Sequence, residues 1–232
     1  MNDNEILSLL CEAEREAARL ILEAHDILAE RKTDRRDVVT EYDRRVQELL
    51  ITRITEVVPD ARFFCEENDR HDDLRAEHVF IIDPIDGTMN FVHGLHHSCI
   101  SAAYMSRGEL RAAAICNPYV SEYFTAVKGA GAFLNGRPIR VTDAPLAETL
   151  VCCGTTPYNP DLADRCFALM KKAFLAGLRI ACVFEVSGHL LLTVEIVGIK
   201  SHCLCAVCTD SHGFLIIHRD FKFVFIHPSF KA

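Results

Sequence analysis

The sequence lacks an excess of basic residues. Its 232 residues contain 25 Lys and Arg against 33 Asp and Glu, which gives a net charge of −8 and a pI near 5.7. Proteins that gather nucleic-acid phosphates need a basic face, so this balance predicts that nucleic acid is not a partner. Internal repeats and low-complexity segments are also missing, which is typical of a globular chain that can bury a large core.

The sequence also lacks an uninterrupted apolar run of membrane-spanning length. Residues 183–199 are apolar, but Glu185, His189 and Glu195 interrupt them, so we expect no membrane span there. Residues 1–10 have neither a basic start nor a long apolar core, and therefore predict no secretory signal. The 11 cysteines show no disulfide-like framework, which indicates free thiols in a reducing compartment. We therefore expect a cytoplasmic protein.

What the sequence does contain is a pair of aspartates directly after a buried-strand pattern. The apolar run 79–82 leads into Asp83 and Asp86, and then into Gly87 and Thr88. Carboxylates are hard oxygen ligands of the kind that Mg²⁺ prefers. Backbone N–H groups at Gly87 and Thr88 would hold an anion if a helix begins there. The alternative interpretation is an ordinary strand followed by an Asp/Pro/Gly turn.

Two further groups of acids lie upstream of this pair. Glu66 and Glu67 follow the short apolar segment 62–65, so a second strand end also carries carboxylates. The alternative for this pair is a solvated turn. Asp43 comes three residues after Thr40 and opens an amphipathic run, which by itself favours a helix capping box.

Taken together, these segments resemble the inositol monophosphatase family. The block of twelve residues from Asp83 to Gly94 is the most specific of them, and the likeness covers residues 4 to about 179. A stretch with an Asn135-Gly136 pair, which is independently a type I′ turn signal, matches the sheet hairpin of the family. The matching segments are Lys32, residues 37–43, residues 65–67, residues 83–94 and residues 128–139.

The resemblance implies a role for each matching residue. By the resemblance, the ligands of Mg²⁺ are Glu66, Asp83, the main-chain carbonyl of Ile85, and Asp86. The phosphate-binding turn is Gly87 and Thr88. The resemblance makes Asp43, Thr88 and Glu66 the catalytic residues, with Asp43 and Thr88 as the pair that orients and activates the attacking water. Lys32 matches a basic residue near the metal, although a solvated lysine before a turn is the alternative.

The activity implied by the resemblance is Mg²⁺-dependent hydrolysis of a small phosphorylated sugar or cyclitol, with inositol monophosphate as the leading substrate. Two or three Mg²⁺ ions, inhibition by lithium and a homodimer are the corresponding expectations. An acidic protein that binds phosphate needs metal to reverse the local charge. Two alternatives stay open. One is a superfamily relative that acts on fructose bisphosphate or a nucleotide 3′-phosphate, and the other is a metal- and phosphate-binding protein that has lost turnover.

The sequence departs from the family in its second half. The family's Gly-Ser-x-Ala-x-Asp-Leu and Trp-Asp-x-Ala-Ala-Gly segments are absent, and the chain contains no tryptophan. Residues 180–232 hold 8 charged residues among 53, whereas residues 1–179 hold 50. This break predicts that the tail is not the family's second half, and a shifted reading frame is our hypothesis for its origin.

Two features of the tail suggest metal binding. Asp210 lies at about the right distance to imitate the family's missing metal ligand, but the residues that would orient it are absent. A set of soft ligands offers the alternative of structural zinc, although the spacing is unlike that of a paired Cys-x-x-Cys site. These ligands are His202, Cys203, Cys205 and Cys208, followed by His212 or His218.

The expected fold is α+β, in the layered αβαβα arrangement of sugar phosphatases. Two long N-terminal helices should cover a mostly antiparallel sheet, followed by a partial or altered α/β second half. We expect a metal- and phosphate-binding domain over residues 1–145 and a second domain over residues 146–232, with the atypical tail from about residue 180. The predicted helices are 4–30, 41–57 and 162–176, and the predicted strands are 79–82, 98–105, 110–116, 122–127, 221–226 and the arms of the hairpin around Asn135.

Overall fold

Two helices dominate the N-terminal part of the computed structural model, and both begin at a capping box. Helix α1 (Asp3–Leu22) starts after Asn2, whose side chain accepts from the N–H groups of Asn4 and Glu5. Helix α2 (Glu41–Val57) starts after Thr40, as the sequence predicts. Both helices carry acidic residues in the first turn, where the positive end of the helix dipole stabilises negative charge.

The prediction that the first helix continues to residue 30 is wrong. The chain leaves the helix after Leu22 because it next forms strand β1 (Ala29–Arg31), which pairs antiparallel with β2 (Val38–Thr40). Asp26 adopts a positive φ of 50° in this connection, a conformation that no α-helix contains.

The structure describes the chain in ten segments. The described residues up to Pro138 belong to one compact unit, and those from Ile139 onward belong to a second. Within this part of the chain, no helix is long and apolar enough to cross a membrane. The segments are 1–31, 38–67, 72–139, 150–153, 163–177, 179–182, 205–206, 208–209, 213–218 and 222–226.

A seven-stranded sheet forms the centre of the first unit, and its spatial order follows the chain from β3 to β9. Strands β3 and β4 are parallel, whereas the pairs from β4 to β8 are antiparallel, so the sheet is mostly antiparallel as expected. The bounds are β3 Arg62–Cys65, β4 Val79–Asp86, β5 Cys99–Ser106, β6 Glu109–Asn117, β7 Glu122–Val127, β8 Gly131–Leu134 and β9 Arg137–Ile139, with helix α3 (Thr88–Val92) between β4 and β5.

The core of this unit lies between the sheet and the first two helices. Strand β4 turns Phe80 and Ile82 toward α1 and α2, where they pack in the large apolar cluster. Val79 and Ile81, on the opposite face, are buried in a second cluster. Every residue of β4 is buried. Burial on both faces explains why this strand reads as a continuous apolar run rather than an alternating one.

The second unit contains two small sheets among its described residues. Strand β10 (Leu150–Cys153), helix α4 (Ala163–Leu175) and strand β11 (Arg179–Cys182) follow in order, and β10 pairs parallel with β11 and with β12 (Cys205–Ala206). The other sheet is antiparallel and consists of β13 (Cys208–Thr209), β14 (Gly213–His218) and β15 (Lys222–Ile226). The predicted helix 162–176 and the predicted strand near residue 222 are confirmed.

One buried acid in α1 stands apart from the rest of the core. Glu14 is fully buried, and its two carboxyl oxygens accept no hydrogen bond from the residues that the structure describes. Burial raises the pKa of Glu14 well above its usual range, and the neighbouring Arg15 only partly opposes this shift. An ionised carboxylate is far more costly to bury than a protonated one, so the folded protein favours the neutral form of Glu14.

The pKa of Glu14 predicts a stability that falls as pH rises. The folded state retains a proton that the unfolded state releases near pH 4.5. Stability therefore decreases above that pH, by about 1.4 kcal/mol per pH unit from this group until its folded pKa is reached. Glu14→Met removes the titrating group at similar volume, and should unfold at a higher temperature than the wild type at pH 8.

Thermal unfolding of both proteins between pH 5 and pH 9 measures this effect. Glu12→Met, an exposed position two residues away, is the matched control and should leave the pH dependence unchanged. Parallel pH profiles for the wild type and Glu14→Met would contradict the expectation.

Candidate functional site

The end of strand β4 brings two carboxylates and a tight turn together. Asp83 and Asp86 are buried, with 1% and 8% of their surfaces exposed. The register between β4 and β5 shifts between these two residues, so the strand is irregular where its acids lie. Gly87 follows with a φ of 85°, and α3 begins at Thr88, as the sequence predicts for this turn.

Asp43 forms the predicted capping box and also contacts Thr88, the residue with which the family resemblance pairs it. Its Oδ2 accepts from the main-chain N–H of Thr40 at 2.7 Å and from the hydroxyl of Thr40 at 2.5 Å, which completes the capping box of α2. Its Oδ1 accepts from the hydroxyl of Thr88 at 3.2 Å. The cap and the contact with Thr88 therefore use different oxygens of one side chain.

Thr88 links Asp43 to the main chain of β4. Its hydroxyl lies 3.0 Å from the carbonyl oxygen of Ile85 and 3.2 Å from Asp43 Oδ1. A hydroxyl carries one hydrogen, so these two acceptors share or compete for a single donor. Thr88 is 7% exposed and Asp43 is 1% exposed, so the hydrogen bond between them is shielded from bulk water.

The pKa of Asp43 is raised to about 6. Burial is the main cause, and the negative charge of Glu67 adds to it, whereas the hydrogen bonds from Thr40 and Thr88 lower the pKa. A carboxyl group with this pKa ionises close to neutral pH, where a general base functions best.

The predicted acids at the end of β3 lie on opposite sides of the chain. Glu66 is exposed, and its main-chain N–H donates to the carbonyl oxygen of Ile82 on β4 at 3.1 Å. Glu67 is 5% exposed and lies close enough to Asp43 to influence its pKa. The main chain of Glu67 also forms two hydrogen bonds with the side chain of Gln47 on α2.

Cys99 is a site neighbour that the sequence analysis missed. Its Sγ lies 3.8 Å from Asp86 Oδ2, at the position in β5 that pairs with Asp86. Burial raises the pKa of this thiol well above its usual range, and Asp86 and Asp83 raise it further. Both aspartates therefore lie close to a neutral thiol. The sequence gives no signal for Cys99, because it looks like one more apolar position in a strand.

The structure thus gathers some of the predicted residues and leaves others apart. Asp43, Thr88 and Ile85 are in direct contact, and Asp83 and Asp86 share Cys99 as a neighbour. In the described segments, no group of three or more His, Cys, Asp or Glu side chains is arranged to hold a metal ion. The predicted residues Lys32 and Asp210, and the predicted zinc ligands His202, Cys203 and His212, lie outside those segments.

A side chain at Gly87 should cost more than one at Gly94. A Cβ at this position would lie 3.0 Å from the carbonyl oxygen of His97 and 3.2 Å from the side-chain nitrogen of Asn90. Gly94 has a φ of 64°, but a Cβ there would meet no atom within 4 Å. Gly94→Ala should therefore cost about 1–2 kcal/mol for the left-handed backbone alone. Gly87→Ala should cost a further 1–3 kcal/mol, roughly, because its neighbours must move.

Denaturant unfolding of the two variants measures this difference. Equal losses of unfolding free energy in Gly87→Ala and Gly94→Ala would mean that a Cβ at Gly87 meets no resistance from His97 and Asn90.

Comparison with known proteins places this geometry in a family. The inositol monophosphatase family matches residues 2–194. The "Fructose-1,6-bisphosphatase/inositol-1-monophosphatase" of Thermotoga maritima is 38% identical over 143 residues, which are 62% of this chain and 54% of that protein. The "Putative Nus factor SuhB" of Neisseria meningitidis serogroup B is 34% identical over 177 residues, which are 75% of this chain and 67% of that protein.

A solved structure shares the fold as well. The extragenic suppressor protein suhB from Bartonella henselae superimposes with a TM-score of 0.69 at 27% identity, over 77% of this chain and 69% of that one. The chain spans about half of the length of the Thermotoga protein and two thirds of the Neisseria protein. On the strength of the match over residues 2–194, this chain belongs to the inositol monophosphatase family.

Proposed function

We propose that this chain hydrolyses a small phosphate monoester in a Mg²⁺-dependent reaction, with inositol monophosphate as the leading substrate. The observation that carries the proposal is the chain of contacts from Asp43 through Thr88 to the carbonyl of Ile85, directly beside the buried Asp83 and Asp86. It places a base with a pKa of about 6 next to oxygen atoms that suit a divalent cation.

The donor atoms beside Thr88 have the chemistry that Mg²⁺ prefers, although the described side chains are not gathered into a ready-made cluster. Asp83, Asp86 and the carbonyl of Ile85 offer only hard oxygen ligands, and Glu66 is the third carboxylate of the proposed set. Asp83 and Asp86 are both buried near Cys99, and a cation would offset the cost of burying ionised carboxylates. When bound, Mg²⁺ would neutralise charge on the phosphoryl group and make water a better nucleophile.

The residues of the chain then supply orientation and proton transfer. Thr88 Oγ1 would accept a proton from the attacking water as its own proton passes to Asp43 Oδ1. Oδ1 is the oxygen suited to this step, because the two hydrogen bonds from Thr40 occupy Oδ2. Gly87 and Thr88 are the proposed phosphate-binding turn, where backbone N–H groups at the start of α3 would donate to an anion.

Two alternatives remain part of the proposal. The name of the Thermotoga relative includes fructose-1,6-bisphosphatase, which favours fructose bisphosphate over a nucleotide 3′-phosphate as the second substrate to assay. The Neisseria relative carries the name of a Nus factor, so the expectation that nucleic acid is not a partner stays a prediction. The other alternative is a protein that binds metal and phosphate but does not hydrolyse an ester, because the family's second-half motifs are missing.

Turnover should respond differently to two aspartate variants. Asp43→Asn removes the proton acceptor but keeps the oxygen ligands of the metal, so it should lower the rate by about 10²- to 10⁴-fold and retain stabilisation by Mg²⁺. Asp83→Asn should lose both activity and stabilisation. Phosphate release from inositol 1-phosphate and thermal unfolding with and without Mg²⁺ measure the two effects.

The same assay separates the alternatives. If the wild type releases phosphate from inositol 1-phosphate no faster than Asp83→Asn does, inositol monophosphate is excluded as the substrate. If the wild type releases phosphate from fructose bisphosphate alone, the alternative of a fructose bisphosphatase is favoured. Stabilisation by Mg²⁺ with no release from any ester would instead support a binding protein.

Metal affinity should be weaker than a complete family site would have. Glu66, Asp83 and Asp86 supply enough carboxylates for one ion, but a second ion lacks the acid that the family's Trp-Asp segment would provide. Activity measured against Mg²⁺ concentration tests this expectation. Half-saturation at low micromolar Mg²⁺ would contradict it.

A further inference from the structure

One face of helix α2 carries two buried polar side chains that reach different parts of the site. Asp43 and Gln47 are four residues apart, so they lie one above the other on the same side of the helix. Each is 1% exposed. Asp43 contacts Thr88, and Gln47 contacts Glu67. The helix therefore touches the phosphate turn and the end of β3 with neighbouring side chains.

The contact between Gln47 and Glu67 uses both polar atoms of the amide. Gln47 Nε2 donates to the carbonyl oxygen of Glu67 at 3.0 Å, and the N–H of Glu67 donates to Gln47 Oε1 at 3.2 Å. The Gln47 side chain thus satisfies the N–H and the carbonyl of Glu67 in the way that a neighbouring strand would. The glutamine amide has a donor and an acceptor side by side, as this contact requires, whereas a carboxylate only accepts and a thioether does neither well.

The main chain before Glu67 is held from the other direction. Strand β3 ends at Cys65, and the N–H of Glu66 donates to Ile82 on β4 at 3.1 Å. Glu66 therefore lies between one anchor on β4 and another on α2. Its backbone is fixed even though its side chain is exposed.

We propose that Gln47 is a positioning residue for the metal site: it fixes the main chain of Glu66 and Glu67 at a set distance from Asp43. The inference rests on the proposed function, in which Glu66 is a metal ligand and Asp43 is the base. Since α2 holds both Asp43 and Gln47, the base and the ligand segment move together with one rigid helix. Both polar atoms of Gln47 bond to the main chain of Glu67, so its proposed effect on the metal passes through that segment.

Substitutions at Gln47 separate this role from simple packing. Gln47→Met keeps most of the volume but removes both hydrogen bonds, which leaves a buried peptide group without them. Gln47→Glu keeps the length and an acceptor, but it loses the donor and adds negative charge near Glu67 and Asp43. Val46→Ala is the matched control, because Val46 is fully buried on the same helix and its loss leaves a cavity without touching these hydrogen bonds.

Calorimetric titration of Mg²⁺ into the full chain without substrate is the primary measurement. Loss of a residue that orients metal ligands typically weakens binding by about 10- to 100-fold, so we expect that increase in Kd for Gln47→Met and Gln47→Glu. Val46→Ala should lose thermal stability yet bind Mg²⁺ as the wild type does. At saturating Mg²⁺, the kcat of Gln47→Met should stay within the range of Val46→Ala.

Two results would overturn the inference, and they are distinguishable. If the wild type binds Mg²⁺, Asp83→Asn does not, and both Gln47 variants match Val46→Ala, then Gln47 only packs and the proposed function stands. If the wild type and Asp83→Asn respond equally to Mg²⁺, the metal site itself is misassigned, and the proposed function falls together with the role of Gln47.

Discussion

The carboxylate of Asp43 is the interaction on which the site depends. One of its oxygens is needed to start a helix, and the other holds the hydroxyl of Thr88. The start of α2 and the turn at Thr88 are therefore tied to the same side chain. Burial supports this arrangement in two ways, because it strengthens the hydrogen bonds and raises the pKa of the acid toward neutrality.

Local signals in the sequence were sufficient for much of the fold. The bounds of α2 follow from the Thr40 cap at one end and from Pro59 beyond the other, and both act over a few residues. Helix α1 shows where local signals fail. Leu28 has the correct spacing for the apolar face, yet it is 81% exposed. The pairing of β1 with β2 ends the helix despite the apolar helical spacing of the sequence. Hydrophobic periodicity reports only local structure, so it cannot reveal such a contact between separate segments.

The candidate site was predictable to the same degree. The acids of β4 and the turn after them are consecutive in the chain, so their grouping could be read directly from the sequence. The capping motif and the family motif both indicate Asp43. They do not exclude each other, because a carboxylate has two oxygens and each contact uses one of them. Gln47 was missed because a glutamine in a helix usually faces solvent, and only the tertiary structure reveals the peptide group it serves.

The parallel pairing of β3 with β4 has a consequence for how this site tolerates changes in chain length. Cys65 pairs with Ile82, and the next two residues alternate, with Glu66 outward and Glu67 inward. Because Phe63 and Cys65 are buried, they fix the register of β3, and a change in the length of the connection before it would leave the two glutamates in place. A residue inserted directly after Cys65 would instead exchange them between faces, so the spacing from Cys65 decides which of two chemically identical side chains meets the interior.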